Sequence, residues 1–266
     1  MLYNAKELSL KLRHREIDYI TFGRGKRPLI MIQGLNTRGI KGAALSLAYM
    51  YRIFAKDFTV YLFDRRPDVY EGITVRDMAD DIAEAMDALG LREAYVLGIS
   101  QGGMIGQYLA IDRPDLVSRL VLAVTLSRNN DTVISVIENW IALTEAGDMK
   151  ALVLDMAEKM YSEAYLKRYR PLLSLLTILQ KPKDTTRFIT LARSCLSSNA
   201  YEELDKISCP VLVLGGAMDK VVGGGASAEI AERLGCEVHI YPDLGHAAYE
   251  EAGDFNQRIY DFFIGR

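Results

Sequence analysis

The chain has 266 residues, half of them hydrophobic and a quarter charged, with only 7 prolines; this composition is that of an ordinary globular fold and excludes disordered, collagenous and disulfide-stapled classes. The length favours a single α/β domain with an insertion over two large domains. A formal charge of −3, from 32 Lys plus Arg against 35 Asp plus Glu, offers no general attraction for nucleic-acid phosphates or anionic lipid, so the expected partner is a small, largely neutral and apolar molecule.

Cys195, Cys209 and Cys236 form no CxxC pair, and their odd number opposes a disulfide framework or a Cys-rich zinc site. A reducing, cytoplasmic compartment is expected. Residues 1–20 mix Lys6, Glu7, Lys11, Arg13 and Glu16 into their apolar positions, which is not the pattern of a signal-peptide core. Apolar runs such as 120–126 fall well short of the roughly 20 residues that span a bilayer, so no membrane insertion is expected.

In chain order, residues 7–22 alternate and are interrupted by Arg13, His14 and Arg15, which predicts a hairpin before Gly23 and Gly25 break the pattern. Unbroken apolar runs then recur at helix-sized intervals: 28–33 (PLIMIQ), 58–63 (FTVYLF), 94–99 (AYVLGI), 120–125 (LVLAVT), 210–214 (PVLVL) and 237–241 (EVHIY). Each suits a strand buried on both faces of a parallel sheet. Between them, 74–89 places Met78, Ile82, Ala85, Met86 and Leu89 on one helical face, with Thr74 as cap and Gly90 as stop. Residues 102–111, 226–234 and 254–263 carry the same period. Alternating strands and helices predict a doubly wound, mostly parallel sheet of eight strands whose ligands sit beyond the strands' carboxyl ends.

Between about 128 and 205 helical periodicity takes over, in 131–146, 148–160, 162–179 with a bend at Pro171, and 184–196. We read residues 128–205 as a helical cap inserted into a core formed by 1–127 and 206–266. Tyr161, Tyr165, Tyr169 and Phe188 are read as packing residues before ligands, although a lid over a pocket needs such a face.

The sharpest local pattern is Gly98-Ile99-Ser100-Gln101-Gly102. It follows a strand and opens a helix, the setting that holds a serine on a strained bend with its hydroxyl outward, and its glycines remove Cβ atoms that would collide across that bend. A serine hydroxyl needs a base at neutral pH, and imidazole, with a reference pKa of about 6.5, is well matched. Activity is then expected to fall as the base takes up a proton. Of the three histidines, His14 lies in the hairpin and His239 inside a strand, whereas His246 follows the last strand in Pro242-Asp243-Leu244-Gly245-His246, at the carboxyl edge where Ser100 also sits. A carboxylate should fix the imidazole tautomer. Asp219, in Gly215-Gly216-Ala217-Met218-Asp219 and 27 residues before His246, is favoured over Asp131, and over Asp243, whose Pro-Asp context suits a turn.

With GISQG, GGAMD and DLGH in this order and spacing, the chain resembles the α/β-hydrolase fold superfamily over essentially its whole length. LDKISCPVLVLGGAMDKVV is similar to that superfamily's return from the cap into a late strand and its acid loop, and FDRRPDVYEG to its loop after an earlier strand. The size and single insertion resemble small esterases, enol-lactonases, carbon–carbon bond hydrolases and cofactor-free haloperoxidase-like proteins, which share the triad. The resemblance implies a serine hydrolase acting on a carboxylic ester, lactone or thioester through an acyl-enzyme, with Ser100 as nucleophile, His246 as base then acid, and Asp219 orienting the imidazole. It also implies an oxyanion hole made by the backbone N–H groups of Gln101 and Leu35.

Two departures stand out. Gln33-Gly34 occupies the place where relatives usually show His-Gly; because the donor is main chain, the change need not abolish the hole, but it can reshape the hole's support. Gly223-Gly224-Gly225 follows Asp219 where relatives commonly place a proline and a helix start, which implies a loose loop that either holds the acid less firmly or gives room to a bulky substrate. Asn36 has two readings, a side-chain donor or a turn residue.

No cofactor or metal is expected. Gly98, Gly102, Gly103 and Gly106 do not fit GxGxxG, the strand LVLAVT lacks the acidic end that holds a ribose, no GxxxxGK[ST] loop occurs, and three scattered histidines lack HExxH. Carbon–carbon bond hydrolysis or haloperoxidase-like chemistry with the same triad, and a non-catalytic binder of a small apolar ligand, stand as the alternatives.

Overall fold

The computed structural model describes residues 2–169, 182 and 184–266. Strands β1 (Lys6–Lys11) and β2 (Glu16–Gly23) form the opening hairpin, and β2 also runs antiparallel to β4 (Phe58–Phe63). β3 (Arg27–Ile32), β4, β5 (Ala94–Ile99), β6 (Val117–Ala123), β7 (Val211–Gly216) and β8 (Glu237–Tyr241) pair in parallel. The eight strands lie in the order β1-β2-β4-β3-β5-β6-β7-β8. The chain therefore winds outward from β3 to β4, then returns to the other side of β3 with β5. That reversal opens a crevice beyond the carboxyl ends of β3 and β5, where a doubly wound sheet binds ligands.

The central runs became strands because they are buried on both faces; all six residues of β7 are buried. The edge strands β1 and β8 carry mostly exposed or half-buried positions, and β1 presents Lys6, Glu7 and Lys11 to solvent, which discourages edge pairing with another chain. Three of the parallel strands depart from the expected bounds, β3 and β7 by one or two residues and β6 furthest. The reading 120–125 placed it too late: β6 starts at Val117 and ends at Ala123, because Val124 takes φ +45° and turns the backbone out of the ladder.

Helices cover both faces. α1 (Ala44–Met50), not anticipated from periodicity, is short and leaves Leu45, Tyr49 and Met50 exposed, so its apolar stripe is blurred. α2 (Val75–Ala88) begins with a capping box in which the Thr74 side chain accepts from the Asp77 N–H and the Asp77 carboxylate accepts from the Thr74 N–H. α3 (Gln101–Asp112) is buried from Gln101 to Ile111, beneath the rest of the fold. α4 (Asp131–Glu145), α5 (Met149–Met160), α6 (Glu163–Tyr169) and α7 (Thr185–Leu196) lie between β6 and β7. A bridge between Arg128 and Asn199 closes the neck of this insertion. The expected bend at Pro171 lies outside the described residues. α8 (Ala226–Leu234), α9 (Ala248–Glu251) and α10 (Phe255–Ile264) complete the chain.

The core is split by the sheet. One half packs α2, α3, α8 and the inserted helices, including Trp140 and Phe188; the other packs α1 and α10 through Phe54, Phe58, Phe255 and Phe263. Tyr161 stacks on Tyr165 with ring centroids 4.5 Å apart, and Tyr169 lies tilted against Tyr165 at 4.4 Å. Among the described residues no helix is long and apolar enough to cross a membrane.

Candidate active site

Ser100 sits between β5 and α3 with φ 54° and ψ −121°, a backbone conformation that costs a non-glycine residue about 1–3 kcal/mol and persists only where its surroundings impose it. The surroundings are main chain. A Cβ on Gly98 would lie 2.4 Å from the Gly102 carbonyl oxygen, and one on Gly102 would lie 2.0 Å from that of Ile32. The bend is thus pressed backbone on backbone against the end of β3, which only glycine permits. From the other side, the Ser100 N–H donates to the Ala123 carbonyl at 2.9 Å and the Thr125 hydroxyl donates to the Ser100 carbonyl at 2.7 Å. The serine is held by three strands at once.

His246 Nε2 lies 2.9 Å from Ser100 Oγ, and its Nδ1 lies 2.8 Å from Asp219 Oδ2. A carboxylate can only accept, so it selects the tautomer protonated at Nδ1 and leaves Nε2 as acceptor for the serine hydroxyl. The other carboxylate oxygen, Asp219 Oδ1, accepts from the Val221 and Val222 N–H groups at 2.8 and 3.0 Å. Both His246 and Asp219 are buried. The histidine loop is itself tied down: the Met218 N–H donates to the Leu244 carbonyl and the Ala247 N–H to the Met160 carbonyl at the end of α5.

The three residues singled out by sequence therefore converge, and their rivals do not. Asp131 opens α4 in solvent, Asp243 is exposed in its turn, His14 is exposed between β1 and β2, and His239 packs edge-on against Tyr241 within β8. The loose loop expected from Gly223-Gly224-Gly225 is instead tight. Gly224 packs so close to Ala217 that a Cβ would lie 2.1 Å from its carbonyl oxygen, and Gly223 takes φ +89°. The glycines let the turn fold back on the acid loop.

Over the serine passes the loop after β3, close enough that a Cβ on Gly34 would lie 3.1 Å from that of Ser100. Among the described residues neither the Leu35 N–H nor the Gln101 N–H has an acceptor. The Gln101 side chain is fully buried, with Nε2 donating to the Leu191 carbonyl at 2.8 Å and lying 3.2 Å from both Ser194 Oγ and Cys195 Sγ, which ties the turn at Ser100 to α7. Asn36 serves as an acceptor, its Oδ1 receiving Arg187 Nη1 at 3.3 Å, while Arg187 also meets Asp64 Oδ1 at 3.2 Å.

Sequence reading missed Arg65. In FDRRPDV the two arginines look alike, and solvated; in the fold Arg66 pairs with Asp81, whereas Arg65 is only 4% exposed. Its Nη2 donates to the Gln33 carbonyl and reaches the Gly34 carbonyl at 3.4 Å and Gln101 Oε1 at 3.3 Å. Burial pulls this guanidinium down to about 10, with Asp64 opposing the shift and Arg187 adding to it, so it remains charged at neutral pH. The only advance signal was its place directly after β4, beside the crevice.

Ser100, His246, Gly34 and Leu35 face a cavity of about 50 Å³ closed by Val133, Ile137, Trp140, Met156 and Met160 from α4 and α5. Its walls are mostly apolar. Cys195 also lines it, but burial pushes that thiol up to about 11, so it is a neutral wall group and no thiolate nucleophile. Among the described residues no cluster of three His, Cys, Asp or Glu side chains could hold a metal ion.

A family model described as the alpha/beta hydrolase fold matches residues 27–253. RutD of Caulobacter sp. (strain K31), named as a candidate carbamate hydrolase, is 30% identical over 252 residues, covering 90% of this chain and 91% of its own. Among solved structures, MGS-M2, an alpha/beta hydrolase enzyme from a Medee basin deep-sea metagenome library, aligns with a TM-score of 0.88 at 19% identity over 97% of this chain and 98% of that one. The enol-lactonase from Burkholderia xenovorans LB400 aligns at 0.84 and 21% identity over 97% and 100%; these two likenesses establish the fold. With a family match across most of its length, this chain belongs to the alpha/beta hydrolase fold family.

Proposed function

We propose that the protein is a serine hydrolase that cleaves a small carboxylic ester, lactone or thioester through an acyl-enzyme. The observation that carries this reading is the continuous relay from Asp219 through His246 to Ser100, at 2.8 and 2.9 Å, facing an apolar cavity beside two amides that have no acceptor among the described residues. As Ser100 Oγ attacks the carbonyl carbon, His246 Nε2 takes its proton and Asp219 stabilises the imidazolium. Negative charge moves to the carbonyl oxygen, which the Leu35 and Gln101 N–H groups receive. The carbon–oxygen or carbon–sulfur bond to the leaving group then breaks, and His246 returns the proton to that group. Water, deprotonated by the same imidazole, repeats the attack and releases the acid and free Ser100.

In this reading residues 128–205 are a cap on a core of 1–127 and 206–266, and its α4 and α5 side chains select the substrate. The tight cavity favours short acyl groups. A carbamate substrate is the second reading, favoured by the 30% identity to RutD over nine-tenths of the chain; the same relay serves it. The test is labelling of Ser100 by a fluorophosphonate probe, run beside a panel of p-nitrophenyl esters from acetate to palmitate, lactones, acyl thioesters and carbamates. Ser100→Ala should lose on the order of 10⁴-fold or more in kcat on whichever class is turned over. An unlabelled Ser100, with Ser100→Ala as active as the parent, would return the chain to the class of non-catalytic ligand binders.

A further inference from the structure

A buried cation stands behind the loop that crosses the nucleophile, and nothing in the relay uses it. Arg65 has no carboxylate within ion-pair distance among the described residues, and its Nε and Nη1 are buried without a partner there. A charge buried on such terms is expensive, and a well-packed apolar side chain of similar volume is often neutral or stabilising in its place. Among the described residues its guanidinium hydrogen bonds all fall on groups next to the proposed oxyanion hole: the carbonyls of Gln33 and Gly34, and the Oε1 of Gln101.

We infer that Arg65 is a positioning residue for the oxyanion hole, holding and polarising the main chain from Gln33 to Leu35 and the side chain of Gln101 so that their amides meet the developing negative charge. The inference rests on the serine-hydrolase reading given above. The Gly34 carbonyl and the Leu35 N–H belong to one peptide plane and, in the trans form, point in opposite directions. A donor anchored on the Gly34 oxygen therefore holds the Leu35 N–H on the other side of the loop, where Leu35 lines the cavity with Ser100. Hydrogen bonds from a cation are stronger than neutral ones and polarise those that follow in a chain; here the cation draws electron density toward the carbonyl end of each peptide and sharpens the opposite N–H as a donor. Arg65 and Gln101 are buried, so this field is weakly screened. The second arm runs through Gln101, whose Oε1 takes Arg65 and whose Nε2 holds α7, so that the N–H of the same residue starts α3 from a fixed position.

The test compares Arg65→Met and Arg65→Lys with the parent on p-nitrophenyl acetate, each preparation normalised by the stoichiometry of fluorophosphonate labelling at Ser100 so that only folded sites are counted. Arg65→Met should lower kcat by about 10- to 100-fold, less than the 10²–10³ of deleting a donor outright, with KM within about twofold. It should weaken a trifluoromethyl ketone, which forms a tetrahedral oxyanion on the serine, by a similar factor. Arg65→Lys should regain part of kcat at neutral pH and lose it again at alkaline pH, because a buried ammonium gives up its proton far more readily than a guanidinium. The groups facing that ammonium are Asp64 from its own loop, which holds the proton on, and Arg187 from α7, which drives it off, with the neutral thiol of Cys195 beside them. In the parent the limb should come later, only near pH 10, where the Arg65 guanidinium itself gives up its proton. Equal kcat and ketone affinity in parent and Arg65→Met, or Met and Lys variants equally impaired at every pH, would overturn the inference. If the parent itself is unlabelled and Ser100→Ala is as active, it is the hydrolase reading that falls.

Discussion

Asp219→Asn is the change whose outcome the geometry constrains most. The carboxylate serves two masters: Oδ1 accepts from the Val221 and Val222 N–H groups, while Oδ2 accepts from His246 Nδ1. A carboxamide has one oxygen and one NH2 to place in these two positions. With its oxygen on the two backbone amides, every group is satisfied, but the NH2 then faces Nδ1, which must become an acceptor. The ring proton moves to Nε2, and the imidazole no longer removes the serine proton. The flipped amide would keep the productive tautomer while setting its NH2 against two backbone donors. Leaving two buried N–H groups unmet costs about 1–3 kcal/mol each, so the unproductive arrangement wins by about 2–6 kcal/mol. The expected loss in kcat is about 10⁴-fold, equivalent to about 5.4 kcal/mol at 1.36 kcal/mol per decade, with little change in KM. Steady-state kinetics give the rate, and the nitrogen chemical shifts of His246 give the tautomer. A variant that keeps a tenth of the parental kcat, or one with the proton still at Nδ1 and the rate lost, would refute the argument.

The same geometry fixes further outcomes. Gly102→Ala forces a Cβ to within 2.0 Å of the Ile32 carbonyl oxygen; the expected result is a loss of at least 2–3 kcal/mol of stability, about the upper range for overpacking, and a Ser100 that labels far more slowly, read by denaturant melts and probe kinetics. Trp140→Ala removes the largest side chain from the cavity wall, which should cost about 3–5 kcal/mol and shift the preferred p-nitrophenyl ester toward longer acyl chains. Gln101→Ala leaves the backbone donor but unties α7; amide hydrogen exchange across residues 185–196 should quicken, with kcat reduced less than in Asp219→Asn. Glu203 is held down to about 2 by its bonds with Arg76 and Lys206, so its contribution is present above the ordinary carboxylate range and fades as pH falls from about 4.5 toward 2. Glu203→Gln should therefore cost about 0.2–1 kcal/mol at pH 7, as a partly exposed pair does, and nothing near pH 2.

What sequence exposes and what it conceals divides along a physical line. β4, β5 and β8 coincide with their apolar runs, and α8 with its periodic segment, because burial on two faces or one writes itself into consecutive residues. Ser100, His246 and Asp219 were legible for a different reason: each sits at the carboxyl edge of a strand already located, so topology turned three distant positions into neighbours. Arg65 obeyed neither rule. Its neighbour Arg66 finds a carboxylate at Asp81, an ordinary ion pair, while Arg65 turns under the loop onto main-chain carbonyls, and carbonyl acceptors leave no residue-type signature to search for. The triple glycine misled in the same way. Its composition speaks of freedom, yet Gly224 is glycine because the Ala217 carbonyl occupies the space of a side chain, and the tightness this allows delivers the Val221 and Val222 amides to Asp219. In both places the decisive partner is backbone. The main chain of this fold, beyond carrying the relay, shapes the Asp219 carboxylate, the strained Ser100 and the proposed oxyanion hole, so substitutions at Gly102, Gly224 and Arg65, none of which belongs to the proposed triad, should damage the site as specifically as substitutions within it.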